Sequence, residues 1–547
     1  MTATHEVFNQ VPPLVGHDTA ADPALLAAVE REGAGWALDE IHEMGRFAGS
    51  EEAIEWGRLA ERVPPELHTH DRYGRRIDEV EYVPAYPQLM STAVQQGIHA
   101  APWADDRPGA HVARVAKYYA WNVDAGHGCP ITMTYAVVPA LRLNPTLSAR
   151  FEPLLTNREY DFGLRDPETK RGLIAGMSMT EKQGGSDVRA NTTTATPIPG
   201  EDGAYRIVGH KWFTSAPMSD MFLTLAQTPA GVTCFLLPRV LPGGELNAIR
   251  FMRLKDKLGN KSNASSEIEY DNAIGWLVGE EGKGVKTIVE MVNQTRLDCV
   301  IGSAALMRNA LVHATHYTQH RSAFGKLLTD QPLMRNVLAD LSLESEGATT
   351  AMMRLAGANE RAIHGNEAEA AVRRLALAAT KYYVCKRAPS LAVEALECLG
   401  GNGYIEDFDM ARMYHESPLM SIWEGSGNVA ALDALRAIGR EPESLDAFFT
   451  EAELAQGMDQ RYDDALGSLK KELTQFDDIE LRARRLVEQI AVLFQAGLLL
   501  REAPAAVGEA FCASRLARDW GSAFGTLPAG LDLAPIIERA APVFADS

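Results

Sequence analysis

Cysteine, long apolar runs and basic charge are all scarce in these 547 residues. The six cysteines, Cys129, Cys234, Cys299, Cys385, Cys398 and Cys512, are scattered, and no CxxC pair occurs. A zinc knuckle and a disulfide framework are therefore excluded, and the cysteines read as small buried residues in a reducing cell. The longest apolar run near the end, Ile490 to Leu500, is interrupted by Gln495. It falls short of the ~20 residues that span a bilayer. The opening MTATHEVFNQ has neither a basic n-region nor an apolar h-region, so no signal peptide is expected. The expectation is a cytoplasmic protein with no membrane partner. Lys and Arg number 53 against 73 Asp and Glu, a net charge of −20. Such a surface repels phosphate backbones and anionic lipid in general. The glycine-rich loops GxGxxG and GxxxxGK[ST] are absent. His68 and His70 form an HxH, but no carboxylate–His pattern accompanies them, so they read as loop residues and no metal is expected.

What is present is an ordinary globular mix, 46% apolar and 23% charged. The length suggests about three to five domains. Helical spacing dominates residues 20–165, as in LLAAVEREGAGW and ARVAKYYAWNV. From about 172 to 280 the chain turns to short β-branched and aromatic segments bounded by Gly, Pro, Asn and Asp, such as AYRIVGHKWFTSA, MFLTLAQT and GVTCFLLPR. Long helical periods return from about 283 to 438, broken at Gly325, Pro332, Gly400–Gly403 and Pro418. EPESLD, after Arg440, reads as a linker before a last helical block. The α–β–α order does not alternate as βαβ units do, which argues against a doubly wound nucleotide fold. The expected fold class is mainly α with a central antiparallel β domain. Its divisions are a helical domain with an extended N-terminal arm (1–171), a β domain (172–280), a helical bundle (281–440) and an extra C-terminal helical domain (441–547).

Five segments can carry chemistry. Met179-Thr180-Glu181-Lys182-Gln183-Gly184-Gly185-Ser186 reads as a strand end and a glycine turn, whose backbone N–H groups and Ser186 hydroxyl suit an anion. The plainer reading is a simple Gly-Gly-Ser turn. On a predicted strand, Trp212 can stack on a planar heterocycle, and Thr214, two residues on, shares its face. A half-buried aromatic strand is the plainer alternative. At the end of the long helix, Arg321 suits a pyrophosphate and Phe324 an adenine; alternatively Arg321 only complements the helix dipole and Gly325 ends the helix. Glu397–Tyr404 places glycines at 400, 401 and 403, open to backbone contact with a ligand. In Ser421–Asn428 a single carboxylate, Glu424, sits among aromatic and small residues and suits abstraction of a carbon acid's proton, or else is a helix-start Glu.

The order, spacing and identity of the five together resemble the acyl-CoA dehydrogenase family. Residues 178–190 and 397–416 are similar to its two signatures. The first departs only at Ser178, where Gly, Ala or Cys is usual. THEVFNQVPPL, REGAGW, GRLAERVPPEL, CPITMT, RLKDKLGNKSNAS and WEGSGN resemble a bacterial alkylation-response branch of the family. The resemblance implies FAD. Met179, Thr180 and Thr214 would meet the isoalloxazine, Trp212 would pack on it, and Gly185 and Ser186 would meet the pyrophosphate. Arg321, Phe324, Gly400 and Gly401 would come from a partner chain, and Ser426 and Asn428 from the cofactor-contact stretch after Glu424. The family often has His-Gln where Gln331-Pro332 stands. Glu424 matches the catalytic base. The alternative base position is Thr295, which cannot serve, and Arg296 would support Glu424.

The implied activity is α,β-dehydrogenation of an acyl-CoA, with an electron-transfer flavoprotein as acceptor and a homotetrameric assembly. The alternative is an alkylation-stress flavoprotein that protects duplex DNA and turns over little acyl-CoA. Residues 441–547 hold ten Lys/Arg against nineteen Asp/Glu. Lys470-Lys471 and Arg482/Arg484/Arg485 are the only basic clusters in that block. DNA binding is expected to be weak and salt-sensitive at most.

Overall fold

The computed structural model describes residues 4–475 and 477–544. In chain order the elements are α1 (Pro23–Arg31), α2 (Leu38–Ala48), α3 (Glu51–Arg62), β1 (Glu66–His70), β2 (Arg76–Glu81), α4 (Ala85–Gln95), α5 (Ala110–Ala120), α6 (Gly128–Leu141) and α7 (Pro145–Leu155). There follow β3 (Ala175–Ser178), β4 (Thr194–Pro197), β5 (Ala204–Ser215), β6 (Met221–Thr228), β7 (Gly231–Pro238), β8 (Ile249–Leu254) and β9 (Ser265–Val278). Next come α8 (Gly284–His320), β10 (Ser322–Ala323), β11 (Lys326–Leu327), α9 (Pro332–Ile363), α10 (Glu367–Cys398), α11 (Met410–Glu416) and α12 (Gly427–Arg440). The C-terminal segment forms α13 (Pro442–Glu453), α14 (Gln460–Glu472), α15 (Ile479–Glu502), α16 (Ala505–Phe511) and α17 (Ala534–Glu538). Among the described residues no helix is long and apolar enough to cross a membrane.

The described residues pack into two compact units. One takes Glu52–Arg107 and Val123–Asp298. Its seven-stranded sheet runs β3-β6-β4-β5-β9-β7, with β8 on β9 and a further β6–β7 pairing that closes the path and leaves few free edges. The period of two divides β6 and β7 between two cores. Leu223, Leu225, Cys234 and Leu236 pack with Val137, Leu141, Phe151 and Leu155 of α6 and α7. Ala226, Phe235 and Leu237 pack with Ile207, Phe251, Ile268 and Tyr270. The ladders are antiparallel except that β3, and one residue of β4, pair with β6 in parallel.

The other unit takes Met1–Glu51, Pro108–Asn122 and Cys299–Ser547. It is a helical bundle in which α1, α5, α15 and α17 pack on α9, and α10 packs on α9, α12, α13 and α15. Pro332 at the first position of α9 and the Asn366 cap of α10, whose side chain accepts from the Glu369 N–H, start the two long helices.

Three local expectations are corrected. A β-hairpin, β1–β2, lies inside the stretch read as helical, turned at Asp71–Gly74 with Gly74 at φ 77°. His68 and His70 are therefore strand residues, and His68 Nε2 meets Glu81 Oε2 at 2.9 Å. EPESLD is not a linker: Glu441 alone separates α12 from α13, and Pro442, at the first helical position, starts α13.

Buried ion pairs tie the C-terminal segment into the bundle. Arg515, 1% exposed, lies 2.6 Å from Asp340 and 3.0 Å from Glu344. Trp520 Nε1 donates to Asp340 Oδ2 at 2.9 Å. Arg354 bridges Glu369 and Glu451, each at 2.8 Å. Removing one partner leaves the others buried without counter-charge, which costs about 3–5 kcal/mol. Arg515→Ala should lower unfolding free energy by that amount in denaturant titration. A loss below about 1 kcal/mol would show that the segment is held by apolar packing alone.

Candidate active site

The first group of site residues surrounds the end of β3. Glu181, fully buried, accepts from the Thr192 N–H at 2.6 Å and the Thr193 N–H at 3.1 Å, and pairs with buried Lys211 at 3.0 Å. Burial raises its pKa, but the Thr192 N–H, Lys211 and Thr193 outweigh this and hold it at about 2. Burial in turn pulls Lys211 down to about 8, partly offset by Glu181. This pair anchors the base of the glycine turn. Gly184 has φ 136°, and a Cβ on Gly185 would lie 2.6 Å from Thr180 Oγ1. A side chain at 185 would force Thr180 to shift, whereas glycine fits and leaves the backbone accessible. Gly185 and Ser186 are exposed, and Met179 and Thr180 half-buried.

The Trp212 N–H donates to the Thr180 carbonyl at 2.8 Å, joining the turn to β5. The strand is irregular between Lys211 and Thr214, so alternation does not place Trp212 and Thr214 on one face as expected. Lys211 and Thr214 are buried while Trp212 is half-exposed. The Lys255 ammonium lies 3.1 Å from the Trp212 ring centroid, covering one face of the indole with a cation. The Thr214 hydroxyl is fully buried and hydrogen-bonded to that of Ser178, the residue at which the signature departs.

The second group lies on the loop between α11 and α12. Glu424 is half-buried with φ 57°, a left-handed conformation that is costly for a glutamate. Lys381 of α10, 1% exposed, donates to the Trp423 carbonyl at 3.0 Å and also to the Gly425 carbonyl. One buried ammonium thus grips the chain on both sides of Glu424. Trp423 packs on Cys299, Cys385 and Met420. Ser426 and Asn428 follow, both exposed, at the start of α12.

The third group gathers at the end of α8. Arg321 follows the helix directly and donates to the Asn9 carbonyl of the N-terminal arm. The helix stops at His320, before Gly325; Phe324 (φ 54°) and Gly325 (φ 79°) instead form the two-residue turn between β10 and β11. Phe324 is 101% exposed. Asn402 Nδ2 donates to the Tyr317 hydroxyl at 3.0 Å, which brings the exposed Gly400 and Gly401 beside the same helix end. This group sits at the C-terminal end of α10, whereas Glu424 is held from Lys381, about 25 Å back along that helix. Thr295 is buried in α8 with its hydroxyl on the Val292 carbonyl at 3.1 Å, and Arg296 follows it half-buried. Lys381, Lys255 and the Glu181–Lys211 pair were not singled out from the sequence. A lysine on the apolar side of α10 is the one trace that Lys381 leaves there.

The chain is similar to known proteins. Residues 9–162 match the model for the adaptive response protein AidB N-terminal domain, 176–273 the acyl-CoA dehydrogenase middle domain, and 282–439 the acyl-CoA dehydrogenase C-terminal domain. AidB of Escherichia coli (strain K12) is 45% identical over 93% of this chain and 94% of its own. The chain belongs to the acyl-CoA dehydrogenase family. Within it the chain is AidB-like, a member of a family of FAD-dependent oxidoreductases acting on CH–CH groups. Acyl-CoA dehydrogenase family member 11 of Caenorhabditis elegans is 31% identical over 82% of this chain and 77% of its own. The structure of Caenorhabditis elegans ACDH-11 in complex with C11-CoA superposes with a TM-score of 0.85, at 27% identity, covering 94% of this chain and 95% of that one.

Two outcomes follow from the geometry. The Glu181 pKa lies below its ordinary 4.5, so its stabilisation is complete above pH 4.5 and is lost as pH falls towards about 2. Acid unfolding should therefore steepen over that window by of order 3 kcal/mol, and Glu181→Gln should flatten it. In Lys381→Met, two carbonyls lose their donor at about 1–3 kcal/mol each. Amide hydrogen exchange should quicken across residues 421–428 and stay unchanged in β5; unchanged exchange in the loop would contradict the grip of Lys381.

Proposed function

We propose that this dehydrogenase-family chain removes the α-proton of an acyl-CoA with Glu424, for an α,β-dehydrogenation in which bound FAD would be the hydride acceptor. The observation that carries this reading is the strained, Lys381-gripped loop that presents a single half-buried carboxylate. Backbone strain at a non-glycine residue persists only where its surroundings enforce it, and it concentrates where chemistry is done. The residues suit the cofactor. Gly185 has no room for a side chain, Ser186 is exposed, and one indole face of Trp212 lies under a cation while the residue stays part-exposed. FAD, when bound, supplies the two-electron acceptor.

The chain's own residues do the rest. Met179, Thr180 and Trp212 would hold the ring system, and Gly185 and Ser186 the pyrophosphate. Thr214, hydrogen-bonded to Ser178, would contact the ring system as well. Glu424 takes the α-proton, and its backbone N–H donates to the thioester carbonyl, which acidifies that proton. Arg321, Phe324, Gly400 and Gly401 serve the cofactor of a second copy; their distance from Glu424 along α10 and the exposed Phe324, Leu333 and Tyr404 support such a seam. The assembly is a homotetramer, the electron acceptor an electron-transfer flavoprotein, the setting the cytoplasm. The chain is divided at 171, 280 and 440 into four segments.

DNA protection draws no support from the basic clusters. Lys470 pairs with Glu453 at 2.5 Å, and Arg482 and Arg485 lie 3.6 and 3.5 Å from Glu472. The proposal is tested by mixing the yellow protein anaerobically with acyl-CoAs of graded length. One length should bleach the flavin band, and Glu424→Gln should slow bleaching about 10³-fold with the oxidised spectrum intact. Failure of every acyl-CoA to bleach the wild type would refute the reading.

A further inference from the structure

The β10–β11 hairpin presents Phe324, fully exposed, on a turn with both central residues at positive φ. Each of its strands is two residues long, too short to hold itself in water. It is held from outside. Asn9 of the N-terminal arm grips one side with its side-chain amide. Its Nδ2 donates to the Ser322 carbonyl at 2.9 Å, and its Oδ1 accepts from the Ser322 N–H at 2.8 Å. One amide thus satisfies both backbone groups of one residue, as a third strand would. The Asn9 carbonyl accepts from Arg321 Nη1. Asn9 itself has φ 54°, a left-handed conformation that asparagine tolerates better than most residues. From the start of α9, Gln331 Nε2 donates to the Ala323 carbonyl at 3.2 Å. The arm is pinned in turn to α8, where His316 Nε2 donates to the Pro12 carbonyl at 2.8 Å.

Arg321 is half-buried, and among the described residues no carboxylate lies within ion-pair distance of it. Its bond to Asn9 goes to a neutral carbonyl, so the guanidinium is oriented without being neutralised. Most of its five-donor fork stays open to an anion. A charge held in place with no counter-charge, beside a fully exposed aromatic ring on a braced turn, is arranged for a ligand and not for the chain's own stability.

We propose that Asn9 is a positioning residue, through which the N-terminal arm fixes Arg321 and the Phe324 turn to meet the adenosine side of a second copy's cofactor. The inference rests on the FAD and second-copy readings above. Asn9 lies outside the matches to the dehydrogenase middle and C-terminal domains, so the hold on Arg321 comes from the AidB-like part of the chain. Ordering the guanidinium and the turn before the ligand arrives removes their entropy from the cost of binding. The residues assigned to the ring system, Met179, Thr180 and Trp212, belong to the other unit. Loosening the arm therefore weakens the grip on the adenosine half alone.

The test uses the full-length chain, freed of flavin, as wild type, Asn9→Ala, Arg321→Ala and the double variant. Flavin fluorescence titration gives affinities for FAD and for FMN, which lacks the adenosine half. Asn9→Ala should bind FAD about tenfold more weakly and FMN as wild type does. In the Arg321→Ala background, Asn9→Ala should cost about threefold at most, because only the Phe324 turn is left for it to hold. Amide exchange at Ser322 should quicken in Asn9→Ala, and sedimentation should match wild type. An equal fall in FAD affinity in both backgrounds would overturn the positioning role. So would equal losses for FAD and FMN, unchanged FAD affinity, or a change of assembly state in Asn9→Ala. Arg321→Ala with wild-type FAD affinity would sink the adenosine-side reading, and a wild type that takes up no FAD would sink the cofactor reading; the positioning role would fall with either.

Discussion

The Lys381 ammonium, buried in α10 and bonded to the carbonyls on both sides of Glu424, is the contact on which the candidate site depends. A left-handed glutamate followed by a glycine at φ 100° would relax if its neighbours were free. Burial of the lysine is tolerated because both bonds are made. The same helix carries Lys386 five residues on and ends beside Gly400, so one rigid element positions the Glu424 loop, the start of α12 and the Gly400–Gly401 turn.

The β unit solves a parallel problem with opposite charge. Glu181 is the buried ion there, and its N–H donors and Lys211 fix the glycine turn from below. In both units a fully satisfied buried charge places a backbone segment that carries little side chain of its own. The C-terminal segment is bound by the same means, through Arg515, Arg354 and Arg539, and its own carboxylates take up most of its surface cations. Arg484 instead donates to Asn428 Oδ1 at 2.8 Å.

Much of this was legible in the residues. The 3.6 period of α8 and the short β-branched runs of β5 to β7 gave the α–β–α order, and the five segments together gave the family. What escaped has physical causes. The hairpin β1–β2 is rich in charged residues and only five and six residues long, so its alternation is weak. EPESLD reads as a linker, although its proline equally starts a helix. A one-residue irregularity in β5 defeated the two-residue face rule at Trp212 and Thr214. Lys381 and Arg484 act across tens of residues of sequence, on groups that no local pattern connects to them.

The central claim is that the gripped carboxylate is the base. Solvent deuterium exchange at the acyl-CoA α-carbon reads that step alone, without the electron acceptor. The holoprotein in deuterium oxide under anaerobic conditions should incorporate label at the α-carbon of the chain length it accepts, and Glu424→Gln, with its flavin retained, should incorporate none. Exchange that persists in Glu424→Gln at the wild-type rate would show that another group removes the proton.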